Sequence, residues 1–389
     1  MTLSLQFSLS IALAGILSSS LSAQHIGGET TLAYFNAGAS TSDELGEEVL
    51  GPGDLDGDGI ADYVVADLGY DSDRGRVRAR SGATGLTIWV VEGEDLNDHF
   101  GHAMAAMGDL DGDGVPDIAV SAPYNDSGAW NGGEICTLSG ATGSRIWSVG
   151  SPTTNRYLGK AMAAADVNGD GYKDAIAGMP DADNGVYIEA GKISAYSGFG
   201  GSFLGDQYGT GSDRRLGSSV AGLSDINGDG CDEVVVSAPR RDSGGHTDNG
   251  RVSIFSGAVL TGASGTLVLD RVSGGQTGEE FGTSVANAGD VDGDGYDDFL
   301  VGAQFYDDSL GNADVGRVSL ISGSTFAELA SFEDPSPAES TNFGRTVAGG
   351  GDVDHDGIPD LLIGAPGWEI GYNNAAGAVS LSPDELLNC

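Results

Sequence analysis

The chain has 389 residues, of which 66 are glycine, and 58 acidic residues against 17 basic ones give it a formal net charge of −41. So much glycine favours many tight turns over long helices, while a hydrophobic share of 39% is enough to bury a core. The charge excludes binding of nucleic acids or anionic membranes through bulk electrostatics and makes cations the natural partners.

The first 23 residues have the composition of a secretory signal peptide. They contain no charged side chain, and an apolar run from Ile11 to Leu17 is followed by small residues that end at Ser22 and Ala23. We therefore expect a signal peptide at 1–23, a mature domain at 24–389 and a secreted or cell-surface location, with the periplasm as the alternative compartment. A buried N-terminal strand is the alternative interpretation of the segment itself.

Neither a membrane span nor a cysteine-based site is expected. No later stretch reaches the ~18 to 20 apolar residues that a membrane span needs. Cys136, Cys231 and Cys389 lie far apart and form no CxxC pattern. Neither a membrane span nor a disulfide framework nor a zinc site is therefore predicted.

The dominant pattern is a six-fold repeat, with units beginning near residues 45, 100, 158, 216, 281 and 343. Each unit opens with an apolar residue followed by glycine, as in Phe100-Gly101, and continues into a nonapeptide of the form DxDGDGxxD. A short apolar run then ends in a small residue and often proline, as in Ser121-Ala122-Pro123. A further glycine opens an alternating strand that ends in Ser-Gly. Such self-similarity identifies a repeat architecture.

The repeat predicts an all-β fold. Each period holds four short strands and four turns without helical periodicity, and a radially repeated four-stranded antiparallel sheet is the blade of a β-propeller. We expect one domain with six blades, and seven as the fallback. Because the sixth unit stops after its third strand, we expect an N-terminal strand at residues 30–35 to complete it and close the ring.

The acidic nonapeptides predict calcium sites. Three or four carboxylates within nine residues repel one another strongly unless a cation lies between them. Side-chain oxygens at positions 1, 3, 5 and 9, a backbone carbonyl at position 7 and a glycine at position 6 match the irregular oxygen coordination of Ca²⁺. About six structural Ca²⁺ ions are expected; acidic turns that bind nothing are the alternative.

The predicted ligands of the first three loops are Asp54, Asp56, Asp58, Ile60 and Asp62; Asp109, Asp111, Asp113, Val115 and Asp117; and Asp166, Asn168, Asp170, Tyr172 and Asp174. Those of the last three loops are Asp225, Asn227, Asp229, Cys231 and Glu233; Asp290, Asp292, Asp294, Tyr296 and Asp298; and Asp352, Asp354, Asp356, Ile358 and Asp360.

An EF-hand is excluded, because that loop needs a bidentate Glu at position 12. The residues at position 12 are Val65, Val120, Ala177, Val236, Val301 and Ile363. His355 replaces glycine at position 4 of the last loop, and Glu233 lengthens the ninth ligand of the fourth. We expect these two sites to be the weakest.

The apolar-Gly pair, the DxDGDGxxD loop and the Gly-Ala-Pro-like tripeptide together resemble the FG-GAP repeat of the integrin α-subunit propeller and its bacterial relatives, over about residues 45–382. The resemblance implies a β-propeller with Ca²⁺ in the loop between the first two strands of a blade. The chain departs from it with six repeats instead of seven and with Val65-Ala66-Asp67 at the first tripeptide. It also lacks the glycine before Asp166 and Asp225. It resembles a free-standing propeller.

A ligand surface is expected at the other end of the blades. Successive strands alternate in direction, so the loops between second and third strands lie opposite the calcium loops. They are rich in residue types that dominate binding hot spots: Tyr70, Tyr124, Trp130, Arg240, Arg241, Phe305, Tyr306 and Trp368. Packing under their own loops is the alternative for these side chains, whereas Trp89 and Trp147 fall within fourth strands and are expected in the core.

The sequence therefore predicts a secreted, calcium-binding propeller that acts as a binding or adhesion module for a protein or glycan. The alternatives are a propeller-based extracellular enzyme acting on polysaccharide or lipid, or a structural module of a surface assembly. Catalysis is not expected, because there is no GxSxG motif and His355 lies inside a calcium loop. The sequence leaves the oligomeric state open.

Overall fold

The computed structural model describes residues 45–210, 214–263, 268–334, 340–352, 357–367 and 378–381. Within these ranges the regular secondary structure is almost entirely β-strand, and turns and loops connect the strands. The predicted signal peptide at 1–23, the predicted strand at 30–35, Trp368 and Cys389 lie outside the described residues.

Five sheets have four strands each, and every sheet is an antiparallel meander in chain order. The first two sheets contain β1 (Leu45–Gly53), β2 (Asp62–Asp67), β3 (Arg76–Arg80) and β4 (Thr87–Glu92), then β5 (Met104–Gly108), β6 (Asp117–Ala122), β7 (Glu134–Leu138) and β8 (Arg145–Gly150). The third contains β9 (Ala161–Ala165), β10 (Asp174–Met179), β11 (Lys192–Tyr196) and β12 (Phe203–Tyr208). These are the blades that the repeat predicts.

The fourth sheet contains β13 (Val220–Leu223), β14 (Glu233–Ala238), β15 (Arg251–Ser256) and β16 (Val268–Ser273). The fifth contains β17 (Val285–Gly289), β18 (Asp298–Ala303), β19 (Arg317–Ile321) and β20 (Glu328–Glu333). A sixth sheet has three strands, β21 (Thr346–Gly351), β22 (Asp360–Ala365) and β23 (Ala378–Leu381).

The described residues therefore form five four-stranded blades, not the six or seven predicted. The all-β propeller class with four-stranded antiparallel blades is confirmed. The count differs because the last repeat supplies only three strands, and the N-terminal strand expected to complete it lies outside the described residues.

Among the described residues, two four-residue helices lie between strands, although the sequence shows no helical periodicity. α1 (Tyr70–Asp73) lies between β2 and β3, and Asp71 and Ser72 within it have left-handed backbone angles. α2 (Gly257–Leu260) follows β15 and is capped by the Ser256 side chain, which accepts from the Val259 amide. Both are turn-sized elements between strands, so they leave the blade pattern intact.

The chain divides into two compact units. Residues 12–154 contain the first two blades, and residues 155–389 together with 1–11 contain the others. In each unit, apolar clusters combine residues from successive blades, such as Val77 with Ile118 in the first unit and Ile193 with Val234 in the second. The core of each unit therefore lies between neighbouring sheets.

The second strand is buried along its whole length in the second to fifth blades. In β6, β10, β14 and β18 all six residues are buried. Fourth strands instead alternate, and in β4 and β8 the buried residues are Trp89 and Trp147, as predicted. The Trp89 indole N–H also donates to the Gly140 carbonyl of the next blade at 2.6 Å. Continuous apolar runs therefore form blade centres, and alternating runs form blade edges.

In the second, fourth, fifth and sixth sheets, the apolar-Gly pair joins the sheet to the one before it. Phe100 is buried, and its amide donates to the Arg74 carbonyl of the first blade at 3.0 Å. Gly101 has φ +98°, and a Cβ there would lie 2.9 Å from side-chain carbons of Ala66 and Val77. Only glycine fits this close approach. Phe281 and Gly282 repeat the arrangement in the second unit.

Candidate metal centres

The acidic nonapeptides are the loops between the first and second strands. In the first loop, the position-1 carboxylate of Asp54 accepts hydrogen bonds from the amides of Gly57 at 2.8 Å and Gly59 at 2.8 Å. The position-5 carboxylate of Asp58 accepts from the Ile60 amide at 2.8 Å. These bonds lower the pKa of Asp54, chiefly through the Gly59 amide. Carboxylates and backbone thus define one local turn.

The same turn recurs along the chain. The second, third and fourth loops repeat the bonds to positions 1 and 5. The fifth repeats them from positions 6 and 7. In the sixth, the Gly357 amide donates to Asp352 at 2.9 Å; residues 353–356, which include Asp354, His355 and Asp356, lie outside the described residues. The repeat pattern of the sequence is therefore a repeat of local geometry.

The position-9 carboxylate is buried beneath each loop. It is at most 5% exposed in all six repeats. In the second loop, Asp117 Oδ2 accepts from the Leu110 amide at 2.7 Å, and Oδ1 accepts from the Gly140 amide at 2.9 Å. Gly140 belongs to the turn between the third and fourth strands. Position 9 thus ties the acidic loop to the neighbouring turn of the same blade.

Burial changes the ionisation of these carboxyls. Loss of solvent raises the pKa of Asp174 and of Glu233 to about 7, and that of Asp298 to about 6. The pKa of Asp117 is also raised by burial, against the backbone amides that it accepts from. A carboxylate kept charged in such a place needs a compensating cation nearby.

Among the described residues, the acidic oxygens lie close together in four loops. In each of them three carboxylates offer oxygens that lie within 4.8 Å of one another: Asp54, Asp56 and Asp58; Asp109, Asp111 and Asp117; Asp225, Asp229 and Glu233; Asp290, Asp292 and Asp294. All donors are hard oxygens, which suit Ca²⁺ or Mg²⁺ and not the softer transition metals. The donor set therefore fits the cation that the sequence predicts.

Two loops contain asparagine at position 3. The Asn168 side-chain amide donates to Asp174 Oδ1 at 3.4 Å, and the Asn227 side-chain amide donates to Glu233. Glu233 replaces Asp at position 9 yet is fully buried, and its Oε2 accepts from the Ile226 amide at 2.9 Å, as the aspartates do. The longer side chain thus occupies the usual place beneath the loop.

The position-12 residues lie in second strands, as predicted. Val65 in β2 and Val120 in β6 are buried hydrophobic residues, so these loops have no EF-hand helix. At position 7, Ile60, Tyr172 and Tyr296 are exposed, the two tyrosines 40% each, whereas Val115 and Ile358 pack against core clusters. At these positions only the backbone carbonyl is a candidate ligand.

The residues predicted to contact a protein or glycan partner divide into exposed and packed side chains. Trp130 is 66% exposed, and Arg240 is exposed with its Nε 3.5 Å from Glu280. Arg76 lies over the Tyr70 ring at 3.6 Å, Tyr124 contacts the His99 ring, and Tyr306 packs against a core cluster. Arg241 and Phe305 are half-buried. The structure therefore leaves Trp130 and Arg240 as the accessible members of the set.

Sequence reasoning missed an exposed apolar tip in the third blade. Val186, Tyr187 and Ile188 lie between β10 and β11 and are 78%, 48% and 82% exposed. The Asn184 side chain holds the tip by accepting from the amides of Val186 and Tyr187. A run of three consecutive apolar residues in a predicted surface loop was the available signal.

Sequence reasoning also missed a buried ion-pair cluster in the first blade. Asp67 is fully buried and lies 2.6 Å from Arg76 and 2.8 Å from Arg78. The strand register aligns it with Ala238 and Ala303, so the alignment of the tripeptide with Val65-Ala66-Asp67 is wrong by one residue. Asp67 replaces the alanine found at Ala238 and Ala303 in the fourth and fifth blades. The departure from the tripeptide is thus compensated by two arginines of β3.

The described residues include no helix long and apolar enough to cross a membrane. Cys136 is buried, Cys231 is half-buried, and both are free thiols. Burial raises the pKa of the Cys136 thiol to about 12, so this thiol is unreactive at neutral pH.

Comparison with protein families matches the repeats directly. The model described as "FG-GAP repeat" matches residues 216–255, 281–321 and 343–382. The model described as "FG-GAP-like repeat" matches residues 54–120 and 109–177. These segments contain all six acidic loops.

Integrin α subunits are among the similar proteins. Integrin alpha-V of Gallus gallus is 31% identical over 218 residues, which cover 54% of this chain and 20% of that protein. Integrin alpha-IIb of Homo sapiens is 31% identical over 298 residues, which cover 69% of this chain and 26% of that protein. The chain thus spans about a fifth to a quarter of these relatives.

Among solved structures, BBS1N in complex with ARL6DN aligns with a TM-score of 0.50 at 12% identity, over 85% of this chain and 80% of that one. An exotype rhamnogalacturonan lyase aligns with a TM-score of 0.44 at 14% identity, over 85% and 56% of the two chains. The first likeness concerns the fold alone, and the second is too low to bear on activity. The repeats and the integrin matches together identify the chain as an FG-GAP repeat protein with an integrin-α-like β-propeller.

Proposed function

We propose that this protein is an exported, calcium-stabilised propeller that binds a protein or glycan ligand. The observation that carries the calcium part is the recurrence, in four loops, of three carboxylates whose oxygens lie within 4.8 Å of one another. Bound calcium would neutralise these oxygens. The calcium proposal extends to all six acidic loops.

The structure of each loop positions the proposed calcium ligands. In each loop the side chains at positions 1, 3, 5 and 9 and the carbonyl at position 7 are the proposed ligands. Backbone amides hold the carboxylates of positions 1 and 5 in the turn, and the buried position-9 carboxylate fixes the loop to the adjacent turn. Because the ligand oxygens are positioned before the ion binds, little conformational entropy is lost on binding.

The ligand-binding part rests on the kinship with integrin α subunits and on the loops between second and third strands. Trp130 and the tip formed by Val186, Tyr187 and Ile188 expose large apolar side chains there, and Arg240 adds an exposed guanidinium. Large aromatic and arginine side chains dominate the energy of protein interfaces. No catalytic residues are proposed, and the absence of an enzymatic activity stays a prediction.

A screen against glycans and cell-surface proteins, with calcium present, tests the ligand proposal. The double variant Tyr187→Ala, Arg240→Ala, both in the unit of residues 155–389, should lose most binding to any ligand found, since each truncation of a hot-spot residue costs about 2 kcal/mol or more. Leu86→Ala is the matched control, because Leu86 is 69% exposed at the opposite end of a blade. Undiminished binding by the double variant would contradict the placement of the ligand surface.

A further inference from the structure

Three exposed aromatic side chains lie at the metal-loop end of the third blade. Tyr172 is at position 7 of the acidic loop, Phe199 is in the turn between β11 and β12, and Phe203 opens β12. They are 40%, 69% and 57% exposed. The ring centroids of Tyr172 and Phe199 are 5.8 Å apart. This group, the aromatic platform, is distinct from the loops between second and third strands.

The backbone beneath the platform is held by hydrogen bonds. The Gly198 amide donates to Asp174 Oδ1 at 3.0 Å, which fixes the Phe199 turn to the acidic loop. The Tyr172 amide donates to Asp170 Oδ1 at 2.9 Å. Phe203 is anchored by an edge contact to the buried Tyr196 ring at 5.8 Å. The rings are therefore presented on a fixed support, which limits the entropy lost when a partner binds.

Several other aromatic rings in the chain already have a cation over them. Arg76 lies over Tyr70 at 3.6 Å, Lys192 over Tyr208 at 4.9 Å, and Lys160 over Tyr157 at 4.9 Å. Arg317 lies over Tyr306 at 5.3 Å. Across the part of the chain that the structure describes, no such cation is recorded over Tyr172, Phe199 or Phe203. Their ring faces are thus available to a cation from a partner.

The charge around the platform favours a basic partner. Asp166 and Asp170, in the same acidic loop as Tyr172, are proposed calcium ligands, and the neighbouring Lys173 interacts with Asp232. In the calcium-bound protein the attraction of a basic partner therefore rests on the charge of the whole chain. The whole chain carries a formal charge of −41, so a long-range field draws cations toward it and repels acidic polymers. An aromatic ring face with anionic surroundings is suited to arginine or lysine.

We propose that Tyr172, Phe199 and Phe203 form a docking site for a cationic segment of a partner protein, with arginine or lysine side chains over the rings. The site lies at the other end of the blade from the loops assigned to ligand binding, and it does not depend on that assignment. Attraction between charges brings the segment to the surface, and the rings select guanidinium or ammonium groups.

The test uses a fluorescent peptide of alternating glycine and arginine, and a second peptide with citrulline in place of arginine. Binding of each to the calcium-supplemented full chain is measured by fluorescence anisotropy. The double variant Tyr172→Ser, Phe199→Ser should bind the arginine peptide about five- to thirtyfold more weakly, which corresponds to two exposed cation–π contacts. Thermal melting checks that the variant is folded.

Tyr296→Ser is the matched control, because Tyr296 occupies position 7 of the fifth-blade loop and is equally exposed. We expect it to bind the arginine peptide as the native chain does and the citrulline peptide to bind weakly throughout. Equal affinity of the folded double variant and the native chain would overturn the proposal, as would equal binding of the two peptides. Loss of binding to a neutral oligosaccharide in the double variant, with arginine binding unchanged, would assign the platform to sugar and also overturn it.

Discussion

The position-9 carboxylate has two structural partners before any ion is considered. In Asp117, Oδ2 accepts from the Leu110 and Asp111 amides of the loop, and Oδ1 accepts from the Gly140 amide of the neighbouring turn. An acid at this position is therefore required by hydrogen bonding as well as by metal binding. Substitution by asparagine turns one acceptor into an amide donor that faces another donor.

Asp117→Asn should lower the free energy of unfolding by about 1 to 3 kcal/mol even in excess chelator, because a buried amide group loses its acceptor. Urea denaturation of the metal-free protein measures the difference. Asp111→Asn in the same loop is the control, since Asp111 is exposed and its loss should leave metal-free stability nearly unchanged. Similar losses for both variants would show that the backbone bonds of Asp117 do not matter.

At the scale of the strand, the first blade substitutes a charge cluster for a small residue. Asp67 pairs in register with Arg76, just as Ala238 pairs with Arg251 and Ala303 with Arg317. Two positions after this arginine, the third strand has Arg78 in the first blade but Ser253 and Ser319 in the fourth and fifth blades. Asp67 and Arg78 thus differ together from the pattern of the fourth and fifth blades.

Asp67→Ala alone should destabilise the protein by about 2 to 4 kcal/mol, because it leaves two largely buried guanidinium groups without their carboxylate. Adding Arg78→Ser recreates the pattern of the fourth and fifth blades and should recover a large part of that loss. A thermodynamic cycle from urea unfolding of the native chain, both single variants and the double variant measures the coupling. Additive losses would contradict a specific pairing of Asp67 with Arg78.

At the scale of the whole molecule, the raised pKa values predict how the metal-free protein responds to pH. The folded-state pKa values of Asp174 and Glu233 are about 7, above the ~4 of exposed carboxyls. Their contribution to stability is full below pH ~4 and is lost as the pH rises through about 7. In chelator, the melting temperature should therefore rise when the pH is lowered from 8 to 5.5. A flat or opposite profile would contradict the burial of these groups.

How far the sequence predicts this structure depends on how local each interaction is. The acidic loops, the blades and the core positions of Trp89 and Trp147 follow from spacing within one repeat. The partnership of Asp67 with Arg76 and Arg78 requires the register between two strands, which spacing does not give. The exposed tip at Val186 lies within one loop and had a local sequence signal, whereas the contact between Tyr172 and Phe199 depends on how separate loops meet.

The account depends most on calcium as a structural element, and the melting temperature at low salt tests it most directly. Each site at ten times its dissociation constant adds about 1.4 kcal/mol to the folded state. We predict a melting temperature much higher in saturating calcium than in excess chelator, with the difference reduced stepwise by Asp-to-Asn changes at Asp56, Asp111 and Asp292. Identical melting curves in calcium and in chelator would contradict the account.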